Sequence, residues 1–233
     1  FDAGLAHGAD GLELDVRLSR DHVAVVHHDA TLDRTTNLRG RLAALTAAEL
    51  AEADAAARFD PSNGFPFRGK GIGVPTLREV LARYANARII IELKDNTSDL
   101  ASAVVAAIRE TGAWDRVCVG SFGRRAVKAV RKLEPAVATS AAREEVRWAL
   151  YRSWCHWPLD QPRYGGYQVP EQAGRTRVVS RRFVVWAHRA GLAVQVWTVD
   201  TLEDAKRLLE WGVDGLISNR PDVIVPIVRK HGT

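Results

Sequence analysis

Strand-length apolar runs alternate with amphipathic helical segments along most of this sequence, and few folds accommodate that alternation. Strands are predicted at Gly11–Leu18, Arg88–Lys94, Arg116–Phe122, Ala136–Ala141, Gly166–Pro170, Ala193–Val199 and Asp214–Asn219. Helices are predicted at about Leu100–Thr111, Arg124–Leu133, Arg143–Trp154, Arg181–Arg189, Leu202–Trp211 and Asp222–Lys230, where apolar residues recur with a 3.6-residue period. Ser98 and Thr201 stand where helix N-caps belong, and Gly112, Gly191 and Gly212 where helices should stop. Repeated βα units bury a parallel sheet under helices. The 233 residues suit a single α/β barrel domain. The expected fold class is therefore α/β, a TIM (β/α)8 barrel, over an open doubly wound sheet, because no Gly-rich loop joins the first strand to a helix.

Such a barrel closes with eight strands, and seven are legible. Phe1, Leu5 and the stop at Gly8 read as the last turns of a helix, so the first strand is expected upstream of Phe1; the sequence also contains no Met. The interval from residue 19 to 87 is too long for a simple crossover and reads as an insertion and loop region within the one domain, 1–233. It offers a short extra strand at Val23–Val26, an Ala-rich helix at Ala47–Ala57, and a Gly- and Pro-rich loop at Asp60–Gly73. The chain then returns through Pro75-Thr76-Leu77 into a helix near Arg78–Tyr84.

Lys and Arg exceed Asp and Glu by 33 to 28, a net charge of +5 that favours an anionic partner such as a phosphate ester or lipid headgroup. No basic run of five residues exists and no basic stripe is interleaved with aromatics, so no nucleic-acid partner is expected. Two cysteines, Cys118 and Cys155, are too few for a disulfide framework or a thiolate metal site. No stretch reaches eighteen consecutive apolar residues.

Glu13 and Asp15 lie two apart in a predicted strand and so share one face; Glu92 and Lys94 repeat the arrangement inside an otherwise apolar run. Charges placed in a sheet this way need a partner or a metal. Three carboxylates suit Mg²⁺ or Ca²⁺; the competing reading is a Glu–Lys ion pair. An imidazole at His28, after the apolar run, could work as general acid or base, and the adjacent His27 is an equal candidate on spacing alone. His7, His22, His156, His188 and His231 read as surface or helix-packing residues.

The motifs Gly8-Ala9-Asp10-Gly11-Leu12-Glu13-Leu14-Asp15-Val16, Val25-Val26-His27-His28-Asp29 and Thr31-Leu32-Asp33-Arg34-Thr35-Thr36 resemble the glycerophosphodiester phosphodiesterase family. The likeness continues through Val74-Pro75-Thr76-Leu77, Ile91-Glu92-Leu93-Lys94, Gly120-Ser121-Phe122, Val196-Trp197-Thr198-Val199, Gly212-Val213-Asp214-Gly215 and Asn219-Arg220-Pro221-Asp222. The resemblance implies a TIM barrel with an insertion after the second strand, and hydrolysis of glycerophosphodiesters to an alcohol and glycerol 3-phosphate. It implies divalent-metal ligands at Glu13, Asp15 and Glu92, with Mg²⁺ or Ca²⁺ as cofactor, a catalytic imidazole at His28, phosphate contact by Lys94 and a substrate pocket lined by Trp197. The family's His-Arg-Gly motif and Glu-Asn pair are not in this sequence and are expected upstream of Phe1. A phospholipase D-like hydrolysis of lysophospholipids or sphingolipids is the alternative of the same fold; a silent barrel is the alternative should the His-Arg-Gly motif be truly absent.

Trp148, Tyr151, Trp154 and Trp157 recur every three residues, so a helix presents them on one face. Either that face packs on the barrel, or it forms an apolar rim for an acyl chain or a membrane surface, making peripheral membrane contact through residues 148–157 a further expectation.

Overall fold

Polar and apolar residues alternate through Gly11–Leu18, and this segment forms strand β1 with Leu12, Leu14 and Val16 buried and Glu13, Asp15 and Arg17 on the other face. The computed structural model describes residues 1–155, 157–158 and 162–231. His156 lies outside the described residues.

Helix α1 (Asp2–Ala6) precedes β1, which is followed by β2 (Ala24–Val26), α2 (Ala47–Ala51), α3 (Leu77–Arg83), β3 (Arg88–Leu93), α4 (Ser98–Thr111), β4 (Val117–Gly120) and α5 (Arg124–Leu133). The chain continues through β5 (Ala138–Thr139), α6 (Arg143–Trp154), β6 (Gly166–Pro170), β7 (Gln172–Ala173), β8 (Thr176–Arg177) and α7 (Arg181–Arg189). It ends with β9 (Ala193–Trp197), α8 (Leu202–Glu210), β10 (Gly215–Leu216) and α9 (Pro221–His231). None of the described helices is long and apolar enough to cross a membrane. The chain divides into two compact units, Leu14–Val137 and the pairing of Phe1–Glu13 with Ala138–Thr233.

In the Leu14–Val137 unit the strands run in the order β2-β1-β3-β4. The first pair is antiparallel with Val16 opposite Val26, and β3 and β4 are parallel with Ile91 opposite Val119. Leu77, Leu81, Leu100, Val104, Ile108 and Val127 supply the buried faces of α3, α4 and α5. The segment between β2 and α3 has a small core of its own, Val25, Leu32, Leu42, Leu50 and Val74.

Helix α2 is shorter than the Ala-rich sequence predicts. Its start is a capping box, Thr46 accepting from the Glu49 backbone while the Glu49 carboxylate accepts from Thr46. It stops at Ala51 because Asp54 offers the backbone other partners: its N–H donates to Asn37 Oδ1 and its carboxylate accepts from Ala56 and Gly69 N–H. Gly73 then passes so close to this helix end that an added Cβ would lie 1.9 Å from the Ala51 carbonyl oxygen. Backbone cannot yield as a side chain can, so Gly73→Ala should cost about 2 kcal/mol or more and lower the melting temperature by roughly 4–8 °C, read by thermal denaturation.

In the other unit, β6, β9 and β10 are parallel in the order β10-β9-β6. Their helices enclose a core containing Tyr167, Phe183, Trp186, Val194, Val196, Leu208 and Ile224. Burial and a hydrogen bond with Tyr164 push the Tyr167 phenol far above its usual range, so it stays neutral. Strand β10 ends well before the predicted Asn219, since Ser218 and Asn219 turn to donate to the Asp200 carboxylate. The N-cap of α4 is Thr97, whose hydroxyl accepts from Leu100 N–H, and not Ser98. The small hairpin β7–β8 has no counterpart among the predicted elements.

The aromatic residues of α6 do not pack inward. The helix buries Ala149, Leu150 and Ser153, while Trp148, Tyr151 and Trp154 project on the opposite side.

Candidate active site

Sheet pairing brings the charged residues of β1 and β3 together. Lys94 N–H donates to the Val16 carbonyl at 3.1 Å, and Lys94 Nζ reaches Asp15 Oδ1 at 2.8 Å, with both side chains less than a fifth exposed. The polar faces of the two strands therefore coincide, and Glu92, two residues before Lys94, shares that face. Glu13, two residues before Asp15, is half-buried on the same face of β1. The expected Glu–Lys alternative takes the form of an Asp15–Lys94 pair. Glu92 Oε1 accepts from Phe122 N–H at 3.1 Å, tying β3 to the residues that follow β4.

The two histidines separate clearly. His27 N–H donates to the Asp15 carbonyl, and its ring is occupied at both nitrogens, Nδ1 by the Asp29 carbonyl at 2.9 Å and Nε2 by Thr35 Oγ1 at 3.1 Å. That imidazole is structural. His28 is exposed, with Nδ1 2.6 Å from Asp29 Oδ1; among the described residues nothing hydrogen-bonds to its Nε2. Arg34 grips the same carboxylate through Nε at 2.5 Å and a terminal nitrogen at 3.1 Å. The Arg34 guanidinium first, and His28 second, hold the Asp29 carboxyl far below its ordinary 3.8. An ionised Asp29 places the proton of His28 on Nδ1 and leaves Nε2 to meet a ligand. Arg17 completes the frame, donating to the His28 carbonyl at 2.9 Å and to Asp95 Oδ1 at 2.6 Å.

Asp29, Arg34, Arg17 and Phe122 are not among the residues singled out from the sequence for chemistry. The signal for Asp29 is its place directly after His28; the reach of Arg34 back across five residues, and of Arg17 to Asp95, exists only once the loop is folded. Asp29 links the His28 ring to the Arg34 guanidinium. Asp29→Asn should lower kcat by about 10- to 100-fold with little change in KM and displace the imidazole limb of the pH–rate profile, a readout that a purely structural role would not move. Because the folded carboxyl is depressed, its contribution to stability is full above about 3.8 and is lost as pH falls through the folded value, so the variant should differ most in melting temperature at neutral pH and least in strong acid.

Glu13 and Asp15 on β1 and Glu92 on β3 offer carboxylate oxygens, the kind of donor a hard divalent cation takes. The side chains are not drawn into one shell: among the described residues no group of three or more His, Cys, Asp or Glu stands in metal-holding geometry. Asp15 is instead held by Lys94. Trp197 ends β9 in the other unit, half-buried and paired in register with Pro170.

The sequence model of the glycerophosphoryl diester phosphodiesterase family matches residues 1–223. The chain belongs to that family. It is accordingly a phosphoric diester hydrolase, with the TIM (β/α)8-barrel fold class. A glycerophosphodiester phosphodiesterase of Caldanaerobacter subterraneus subsp. tengcongensis is 30% identical over 242 residues, covering all of this chain and 91% of the relative. The crystal structure of the glycerophosphodiester phosphodiesterase from Agrobacterium tumefaciens superposes with a TM-score of 0.76 at 26% identity, covering 97% of this chain and 90% of the other. An Oleispira antarctica phosphodiesterase, solved in complex with the product sn-glycerol 3-phosphate, has the same fold at TM-score 0.76 and 23% identity, covering 97% and 87%.

Proposed function

We propose that this family member hydrolyses glycerophosphodiesters to an alcohol and glycerol 3-phosphate, with His28 as the proton-transferring residue. The observation that carries this reading is the His28–Asp29–Arg34 chain of hydrogen bonds, in which nothing among the described residues occupies Nε2, on the loop that follows β2, the strand paired with the Asp15-bearing β1. The product bound to the Oleispira antarctica relative supports the substrate class. In this reading Nε2–H of His28 protonates the departing alkoxide, and Asp29 stabilises the positive ring before the transfer. Lys94 offers its ammonium to the phosphate, and Trp197 contacts substrate, the latter on family resemblance alone.

Glu13, Asp15 and Glu92 are the residues that would hold Mg²⁺ or Ca²⁺. A divalent cation bound there supplies positive charge to a phosphoryl oxygen and lowers the pKa of a bound nucleophile. Release of glycerol 3-phosphate by the full-length enzyme, assayed with and without chelator, tests the reading. Chelation, Glu13→Gln and Glu92→Gln should each reduce activity by about 10- to 100-fold or more, with Mg²⁺ or Ca²⁺ restoring the chelated enzyme. Full activity in chelator would remove the cation from the scheme, and absence of glycerol 3-phosphate release would overturn the reaction itself.

A further inference from the structure

The aromatic side of α6 belongs to the unit containing Ala138–Thr233 and has features that hydrolysis of a small soluble diester does not use. Trp148 is 66% exposed, Tyr151 and Trp154 are each 50% exposed, and Trp157, just past the helix, is 67% exposed. The first three form a continuous edge-to-face row, with centroids 6.3 Å apart for Trp148–Tyr151 and 5.5 Å for Tyr151–Trp154. Soluble proteins seldom leave several large aromatics together in water.

The end of α6 is anchored to α7, a helix carrying Arg181, Arg182 and Arg189. Arg182 of α7 donates to the carbonyls of Ser153 and Trp154 at the end of α6, and Trp186 Nε1 donates to the Trp157 carbonyl at 2.9 Å. A concave surface at this junction is lined by Ser153, Arg181, Arg182, Val185, Trp186 and Arg189. Arg147 on α6, together with Arg181 and Arg189, makes no ion pair with any described residue. The acidic residues of α6, Glu144 and Glu145, are confined to its first turn, where Glu145 accepts from Ala142 N–H.

Indoles and a phenol that can enter the headgroup region, beside arginines that bind phosphate oxygens, form the combination that an anionic bilayer selects. We propose that the α6–α7 face docks the protein on an anionic lipid bilayer, with Trp148, Tyr151, Trp154 and Trp157 entering the interface and Arg147, Arg181 and Arg189 meeting lipid phosphates. The proposal is independent of the reaction assigned above, and its test reads binding rather than turnover.

Co-sedimentation with vesicles of phosphatidylcholine containing one third phosphatidylglycerol, compared with pure phosphatidylcholine, provides that test. The expected result is binding to the mixed vesicles that is about tenfold or more tighter than to the neutral ones and weakens with added salt. Trp148→Ala/Trp154→Ala should weaken it about tenfold, and Arg181→Gln/Arg189→Gln should remove most of the preference for phosphatidylglycerol, each with an unchanged melting curve and unchanged turnover of glycerophosphocholine. Equal binding to both vesicles, or binding indifferent to either double variant, overturns the proposal. So does a dimer in solution that Trp148→Ala/Trp154→Ala dissociates, which would give the face to a second copy of the chain, or a matching loss of turnover, which would give it to the active site.

Discussion

His28→Ala should lower kcat/KM for glycerophosphodiester hydrolysis by about 10³- to 10⁴-fold while leaving the melting temperature within a degree or two of wild type. The two halves of that expectation have different physical sources. Among the described residues the exposed imidazole bonds only to the neighbouring Asp29, so its removal opens no cavity in the core. The carboxylate it leaves behind keeps two bonds from Arg34 and remains ionised. The loss in rate comes from the leaving group, an alkoxide that must depart without a proton. A substrate whose leaving group is a nitrophenolate needs no such proton, so the variant should recover most of its activity on a glycerol 3-phosphate nitrophenyl ester. His27→Ala should behave in the reverse manner, costing stability through two broken ring bonds and affecting rate less. A His28→Ala enzyme with unchanged turnover of a poor-leaving-group substrate would refute the role given to this ring.

Asp15→Asn is expected to damage both properties together. Asp15 and Lys94 form a pair intermediate between a surface bridge and a fully buried one, since each side chain is less than a fifth exposed. Neutralising the carboxylate leaves the ammonium on the strand face without that partner, which should cost about 2 kcal/mol, between the limits for exposed and buried pairs. It also removes one of the three oxygen donors proposed for the cation, and kcat/KM should fall by about 10³-fold. The double variant Asp15→Asn/Lys94→Met separates the effects. Both charges are then gone, so stability should return to near wild type while activity does not, as measured by denaturant unfolding alongside the product assay. Recovery of activity together with stability would mean that Asp15 serves Lys94 alone.

Helices α5, α6 and α7 and strands β1 and β6 have the bounds their periodicity predicts, because in each the apolar spacing and the flanking polar residues agree. The early ends of α2 and β10 share a cause. In α2 and in β10 the local pattern continues, but Asp54 and Asp200 draw backbone groups into other hydrogen bonds. A carboxylate that competes for the backbone is visible in a sequence; whether a partner stands within reach is not. The same holds for the aromatic residues of α6, whose three-residue spacing places them on one face without saying whether that face meets protein or solvent.

Residue order determines the βα alternation, the pairing of Glu13 with Asp15 and of Glu92 with Lys94 on single strand faces, and the family motifs that carry the chain into the glycerophosphoryl diester phosphodiesterases. These are local properties, fixed by the two-residue repeat of a strand and by short motifs read along the chain. Tertiary structure ties up both ring nitrogens of His27 and only Nδ1 of His28 among the described residues, hands Asp15 to Lys94, and brings Arg34 to the Asp29 carboxylate and Arg17 to the His28 carbonyl. Each of those choices depends on which polar atoms arrive within hydrogen-bonding distance across the fold, a quantity that no spacing along the sequence contains.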